Sequence, residues 1–433
     1  VEKKVYETIK ETLYQEVLPN GLKVFLLPKA DYNKVYGLFT TNYGSVDNHF
    51  VPLGQEDFTK VPDGIAHFLE HKLFEEEDGD VFQKFSLQGA SSNAFTAFTK
   101  TSYLFSTTDM VYENTQTLLD FVQHPYFMEE SVEKEKGIIS QEIQMYQDDA
   151  GWRLFFGILS NLYPNHPLSV DIAGTCESIQ DITTDMLYSC YNTFYHPSNM
   201  TLFLVGRFEA EEMMAFIKGN QAQKEFPQAQ EIKRDLPKLS PIIPQASIQM
   251  EVVRPKFILG IRGEDELPQD KRDLLKYKIS MNLFGQLLFG DTSSHYLSMY
   301  DEGIVDDSFD EEFSLDRMGH LFMVSGDSSQ PEVALNLVRD ILENYENSAE
   351  MNEKTLELLK KRSLGKALQS LNSLEYIANQ FSQSLYGDIT LFDLPEIIRE
   401  VTLADILSVA KSFVSTKSMS TFVIYPKDLG EKS

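Results

Sequence analysis

Asp63-Gly64-Ile65-Ala66-His67-Phe68-Leu69-Glu70-His71-Lys72-Leu73-Phe74 is the stretch on which the reading of this chain turns. Asp63 is placed to cap a helix beginning near Gly64. At about 100° per residue, His67, Glu70, His71 and Phe74 share one helical face. Ile65, Phe68, Leu69 and Leu73 share the other, which is enough to anchor the helix in a core. Two imidazoles at i and i+4 are neighbours and can bind one ion. Glu70 projects towards the same place and can act as general base on a metal-activated water. The pattern H-x-x-E-H is the inverse of H-E-x-x-H and is a zinc-peptidase signature. A surface helix with two solvated histidines is an equal reading of the motif until its surroundings agree.

A hydrolytic zinc site needs a third protein ligand and an open position. Residues 131–148 read as a helix in which Glu142 is the anomaly. Ile138, Ile139, Met145 and Tyr146 flank it on one apolar stripe, within about 60° by helical geometry. A carboxylate on such a stripe is costly unless it is paired or bound to metal. Glu135 lies two turns earlier on the same face, while Glu133 points away. Glu142 is therefore the best candidate for a third ligand, and Glu135 for a group that supports a ligand from behind. The alternative is that Glu142 pairs with a buried Lys or Arg, since structural ion pairs also occupy such positions.

Around these helices the chain divides in two. Pro227, Pro237, Pro241 and Pro244 lie in a polar stretch, residues 223–245, where apolar periodicity lapses. Proline fixes φ and removes a donor, so the stretch reads as an extended linker. It separates residues 1–222, expected to form the metal-bearing domain, from residues 246–433, expected to form a second domain of similar order without a metal site. The first half opens on strand signals at 22–26 and 35–39, has another near 103–107, and closes on one at 200–205. The second opens on a strand at 257–261 and closes on one at 420–425. Helices near 270–288, 332–345 and 352–371 lie between. This order predicts an α+β fold: two similar α/β sandwich domains, each a mostly antiparallel sheet with helices packed on it.

The chain has 433 residues, enough for two or three domains. Apolar residues make up 42%, with 30 Phe and 20 Tyr, so sizeable cores are expected and disorder is not. No stretch approaches the ~20 apolar residues that a membrane span needs. The first eight residues are charged and lack a signal-peptide core. Cys176 and Cys190 are too few for a disulfide scaffold and are expected to be buried free thiols, with a cytoplasmic location the simplest expectation. The formal net charge of −28 argues against nucleic acid and anionic membranes as partners. Solubility accounts for much of that charge. Two local acidic runs, Glu75-Glu76-Glu77-Asp78 and Asp306-Asp307 with Asp310-Glu311-Glu312, raise the expectation of basic peptide substrates.

With these residues quoted, the first half resembles the insulinase/pitrilysin family of zinc peptidases, which includes mitochondrial processing peptidase. His67-Phe68-Leu69-Glu70-His71 is similar to the family's metal helix. Gly89-Ala90-Ser91-Ser92-Asn93-Ala94-Phe95-Thr96 resembles its substrate-binding edge strand. Glu133-Lys134-Glu135-Lys136-Gly137-Ile138-Ile139-Ser140-Gln141-Glu142-Ile143 resembles the helix with the third ligand. Gly174-Thr175-Cys176-Glu177-Ser178-Ile179 and His196-Pro197-Ser198-Asn199-Met200 resemble further landmarks. The resemblance implies one zinc ion per chain, bound by His67, His71 and Glu142, with Glu70 as base. It also implies a peptide substrate added as a strand along Ser92, Asn93, Ala94, Phe95 and Thr96. Such augmentation reads backbone more than side chains and suits varied, short or unfolded peptides.

One departure stands out. Active members of the family carry, in the half opposite the zinc, an Arg followed seven residues later by a Tyr. These hold the substrate and the developing oxyanion. The matching stretch is Leu297-Ser298-Met299-Tyr300-Asp301-Glu302-Gly303-Ile304-Val305-Asp306-Asp307, with Tyr300 in place of the Arg and Asp307 in place of the Tyr. The expectation is a zinc-dependent endopeptidase subunit whose donors come from a paralogous partner lacking the zinc motif, in a hetero-oligomer. A homodimer is the other arrangement. The competing reading is a non-catalytic peptide-binding or scaffold subunit of the same fold, although such subunits usually have a degraded motif.

Overall fold

The computed structural model of the chain describes residues 1–77, 79–235, 237–381 and 387–427. Asp78 of the first acidic run and Leu236 of the linker lie outside them. In the first half, seven strands form one sheet: β1 (Glu2–Tyr6), β2 (Glu11–Val17), β3 (Lys23–Pro28), β4 (Val35–Thr41), β5 (Ser91–Thr96), β6 (Thr101–Thr107) and β7 (Met200–Gly206). Their order is β1-β2-β3-β7-β4-β6-β5. In the second half, β8 (Gln245–Met250), β9 (Lys256–Arg262), β10 (Asp310–Asp316), β11 (Gly319–Asp327) and β12 (Met419–Pro426) take the order β8-β12-β9-β11-β10.

Without the β1–β2 hairpin the two sheets have one topology. In each, the spatial order is first, fifth, second, fourth, third. In each, the first and last strands run parallel, β3 with β7 and β8 with β12, and the remaining pairs are antiparallel. The resemblance in element order between the halves is therefore a repeat of a whole sheet. The polar β1–β2 hairpin, which gives little apolar signal, is an addition that the sequence reading did not include.

All seven residues of β4 are buried, as expected of a strand covered on both faces. One face of the first sheet is covered by its own half, including α1 (Ile65–Leu73) and α2 (Glu129–Asp148). Phe39, Phe68, Leu69, Tyr103, Phe105, Ile139 and Ile143 share that core. The outer faces are covered by exchange. Helix α3 (Ala150–Leu162), from the first half, lays Ile158, Leu159 and Leu162 against Ile258, Met323, Phe422 and Ile424 of the second sheet. Helix α4 (Leu374–Phe381), from the second half, lays Leu374, Ile377 and Ala378 against Tyr36, Leu38, Phe203 and Val205 of the first. Glycines permit the closest approach: a Cβ on Gly157 would meet the Phe422 ring at 2.4 Å, and one on Gly260 would meet Ile158 at 2.8 Å.

Equivalent hairpin turns of the two sheets also touch. Thr99, in the β5–β6 turn, donates to Asp316 Oδ2 at the β10–β11 turn at 2.9 Å. Asp47, fully buried, accepts from Arg317 of that same turn at 2.6 and 2.8 Å and from Arg234 at 2.8 Å. Arg234 belongs to the 223–245 stretch. Among its described residues that stretch has no helix before β8 begins at Gln245, so it is extended but pinned to the first half.

Three expectations need correction. The α2 helix begins at Glu129, two residues earlier than expected. Ile138 and Met145 are 48% and 61% exposed, so the apolar stripe around Glu142 is narrower than the sequence suggested and consists of Val132, Ile139 and Ile143. Cys190 is fully buried but Cys176 is only half-buried; both are free thiols. No helix among the described residues is long and apolar enough to cross a membrane.

Candidate metal centre

Helix α1 buries both of its faces. Ile65, Phe68, Leu69 and Leu73 enter the core, and His67 and Glu70 on the opposite face are buried as well. The solvated-helix reading of the motif does not hold. Its N-terminus is not built as expected. Gly64, at φ 89°, is the residue that caps the helix, and no side chain bonds to the first turn. Asp63 sits one position too early, and its carboxylate instead accepts from Asn48 at 2.7 Å. A Cβ on Gly64 would stand 2.3 Å from the Ala173 carbonyl oxygen, and one on Gly174 would stand 2.5 Å from that of Asp63. Two backbone segments are thus pressed together where α1 starts, which demands glycine on both sides.

Helix α2 brings Glu142 to the two histidines. Glu142 Oε1 lies 3.6 Å from His67 Nε2, and Oε2 lies 3.5 Å from His71 Nε2. The three donor groups lie within 4.8 Å of one another. Ligands on a tetrahedral zinc at about 2.0–2.1 Å are about 3.3 Å apart, so the donor set fits zinc with small adjustments. Two imidazole nitrogens and one carboxylate, facing a cavity, are also the donor types of an open zinc site. His71 Nδ1 is 2.9 Å from Glu135 Oε1, which turns the other ring nitrogen towards the cluster. Glu133 is exposed and pairs with Lys136, so the structure places Glu135 and Glu133 on the faces expected of them.

The electrostatics fit the same picture. Burial, and then the charge of His71, push His67 down to about 4, leaving a neutral imidazole free to act as a donor. Burial would lower His71 too, but the bond to Glu135 and the surrounding carboxylates raise it overall. Burial pushes Glu70 up to about 7, against the bond from Thr96 Oγ1 to its Oε2 at 2.5 Å. His67 Nδ1 is buried without a hydrogen-bond partner among the described residues.

These groups border a cavity of about 290 Å³ lined by His67, Glu70, His71, Glu142, residues 93–96, Tyr146, Trp152 and residues 171–173. Strand β5 is the end strand of its sheet and brings Asn93, Ala94, Phe95 and Thr96 to the cavity. Ser92 does not line it. The Ala94 amide donates to the Asn93 side chain at 2.9 Å, a bond that an added strand would have to exchange. Sequence reasoning missed Tyr146, Trp152 and Asp171. Tyr146 was counted only as part of an apolar stripe, and Asp171 carries no local signal. All the lining residues come from the first half. Tyr300 is half-exposed on the helix Ser294–Asp301, and neither it nor Asp307 borders the cavity.

Residues 51–176 match the family Insulinase (Peptidase family M16), and residues 181–393 match the family Peptidase M16 inactive domain. The uncharacterized zinc protease YmfH of Bacillus subtilis is 46% identical over 425 residues, which span 98% of each chain. This chain belongs to the M16 peptidase family. The M16 match extends to structures. A protein of Alicyclobacillus acidocaldarius described as an M16-like peptidase superposes with a TM-score of 0.91 at 34% identity, covering 96% of this chain and 99% of that one. A chain of complex III2 from Candida albicans superposes at 0.74 with 12% identity, covering 96% of this chain and 97% of that one, and so shares the fold. The M16 relatives named zinc proteases point to zinc as the metal that the donor set would take.

Proposed function

We propose that this M16 chain is a zinc-dependent endopeptidase subunit that hydrolyses short or unfolded peptides. The observation that carries the reading is the convergence of His67, His71 and Glu142 beside a buried Glu70, at the end of edge strand β5, whose outer edge no described strand pairs. Zinc held by His67, His71 and Glu142 would supply a Lewis acid and a water of lowered pKa. The chain's own groups account for the rest. Strand β5 holds an extended peptide by its backbone across the cavity mouth. Glu70 accepts a proton from the attacking water and returns it to the leaving amine nitrogen. Thr96, donating to one oxygen of Glu70, keeps the other free for that transfer. Glu135 fixes the orientation of the His71 ring.

Among the described residues, the cavity receives none from the second half, and Tyr300 and Asp307 stand where donors are expected. This supports a paralogous partner subunit that supplies an Arg and a Tyr to the oxyanion. The alternative, a non-catalytic peptide-binding or scaffold subunit, draws support from the same gap. Zinc content and peptide cleavage separate the two. The isolated chain should hold one zinc, lose it on His71→Ala, and cleave about 10²-fold or more faster once the partner supplies its donors. Full activity of the isolated chain would contradict the partner, and zinc-loaded chain that never cleaves with any paralogue would favour the scaffold. A preference for basic peptides rests on the net charge and on the two acidic runs, which are partly neutralised. Locally, Glu75, Glu76 and Asp306 already pair with Lys72, Lys84 and Arg254.

A further inference from the structure

Glu142 is held from the side by a group that the reading above does not use. Tyr146, one turn further along α2, donates its hydroxyl to Glu142 Oε1 at 2.7 Å. Its ring lies flat on the indole of Trp152, with centroids 4.7 Å and planes 18° apart. Trp152 sits in the first turn of α3, where its backbone amide donates to the capping carboxylate of Asp149 at 2.7 Å. Its indole N–H donates to Asp171 Oδ2 at 2.5 Å, and Asp171 Oδ1 accepts from the Ala173 amide at 2.9 Å. The Ala173 carbonyl lies against Gly64, the residue that caps α1.

These contacts close a ring. It runs from Glu142 through Tyr146, Trp152, Asp171 and Ala173 to the start of the helix that carries His67 and His71. The third donor is thereby referenced to the first two through packed aromatic rings and short hydrogen bonds, as well as through the direct packing of α1 on α2. The hydroxyl also fixes how the carboxylate is turned. Oε1, which accepts from Tyr146, faces His67, and Oε2 faces His71.

We propose that Tyr146 is a positioning residue for the metal centre: its hydroxyl fixes the orientation of the Glu142 carboxylate towards the two histidines, and Trp152 with Asp171 fixes Tyr146. The proposal rests on Glu142 being a ligand. Removing such an outer partner costs about 10–100-fold in metal affinity.

The test uses the full chain with zinc or cobalt(II) alone. Trp152 is the only tryptophan of the chain, so its emission reports events in the cavity directly. Tyr146→Phe keeps the stacked ring and removes only the hydroxyl. The expected result is zinc affinity about 10-fold or more weaker in a chelator competition, a changed cobalt(II) absorption spectrum, and an unchanged melting temperature of the metal-free chain. Wild-type affinity and an unchanged spectrum for Tyr146→Phe, with metal lost in Glu142→Gln, would overturn the positioning role and leave the ligand set standing. Wild-type affinity in Glu142→Gln itself would overturn the ligand reading, and the positioning role with it. If the metal-free melting temperature falls, Tyr146→His, which keeps an N–H donor, is compared with Tyr146→Leu, which keeps none. Recovery of affinity in the variant that keeps a hydrogen-bond donor supports the proposal, and no recovery in either counts against it.

Discussion

The two halves repeat one sheet and differ in what they place at its end. In the first, edge strand β5 meets α1, and the facing side chains are two histidines and two glutamates around an open cavity. In the second, the equivalent edge strand β10 meets the helix Lys271–Phe289, where a Cβ on Gly285 would stand 2.5 Å from Glu311 Oε2. Among the described residues, the Glu311 carboxyl has no such cluster to enter. Burial, then the charges of Asp310 and Glu312, push it up to about 8. One backbone plan therefore carries a carboxylate among histidine donors on one side and, on the other, a packed carboxyl whose ionisation burial opposes. The donor set resides in a few side chains on α1 and α2 and not in the fold, which a chain of complex III2 shares at 12% identity.

The largest way to break the pairing of the halves is at Asp47. Its buried carboxylate faces Arg234 and Arg317, so Asp47→Ala leaves two partly buried guanidinium groups without it. Denaturant unfolding should show a loss of about 3 kcal/mol. A loss below about 0.5 kcal/mol, typical of surface changes, would mean that the turns do not join the halves.

The next effect sharpens the chemistry of the first half. Thr96→Val removes the hydroxyl bonded to Glu70. A hydrogen bond to a charged group is worth about 1.5–3 kcal/mol. kcat/KM on an unfolded peptide should therefore fall by about 10–100-fold, with zinc content unchanged. Wild-type kcat/KM would show that Glu70 is oriented without Thr96.

The smallest effect tests the second half. Glu311 has a folded pKa of about 8, above its usual value in an unfolded chain. Between those two values the unfolded chain binds fewer protons than the folded one, so stability falls as pH rises. Glu311→Gln should remove that slope, stabilising the chain by about 1–2 kcal/mol at pH 8.5 and by much less at pH 5, after allowance for solvent screening. Equal effects at both pH values would mean that Glu311 is ionised throughout.

The sequence made some of this legible for definite reasons. The strands β4, β7, β9 and β12 are covered on both faces and read as continuous apolar runs. His67, Glu70 and His71 are legible because helical spacing alone brings them to one face. Glu142 was found on a partly wrong premise: the arc that buries α2 passes through Ile139 and Ile143, and Ile138 and Met145 lie outside it. The exchange of α3 and α4 was not legible. An amphipathic pattern says that a helix buries one face, but not which sheet receives it. Asp171 and Trp152 were missed because they meet Glu142 through contacts between separate elements, which no spacing within one helix records.

The most direct measurement compares zinc content and peptide turnover in wild-type chain and Glu70→Gln, each with the proposed partner subunit added. One zinc per chain is expected in both and, in the variant, a turnover loss of about 10²–10⁴-fold, because the substitution removes a base and not a ligand. Undiminished cleavage by Glu70→Gln, or a wild-type chain that takes up no zinc, would contradict the proposed function.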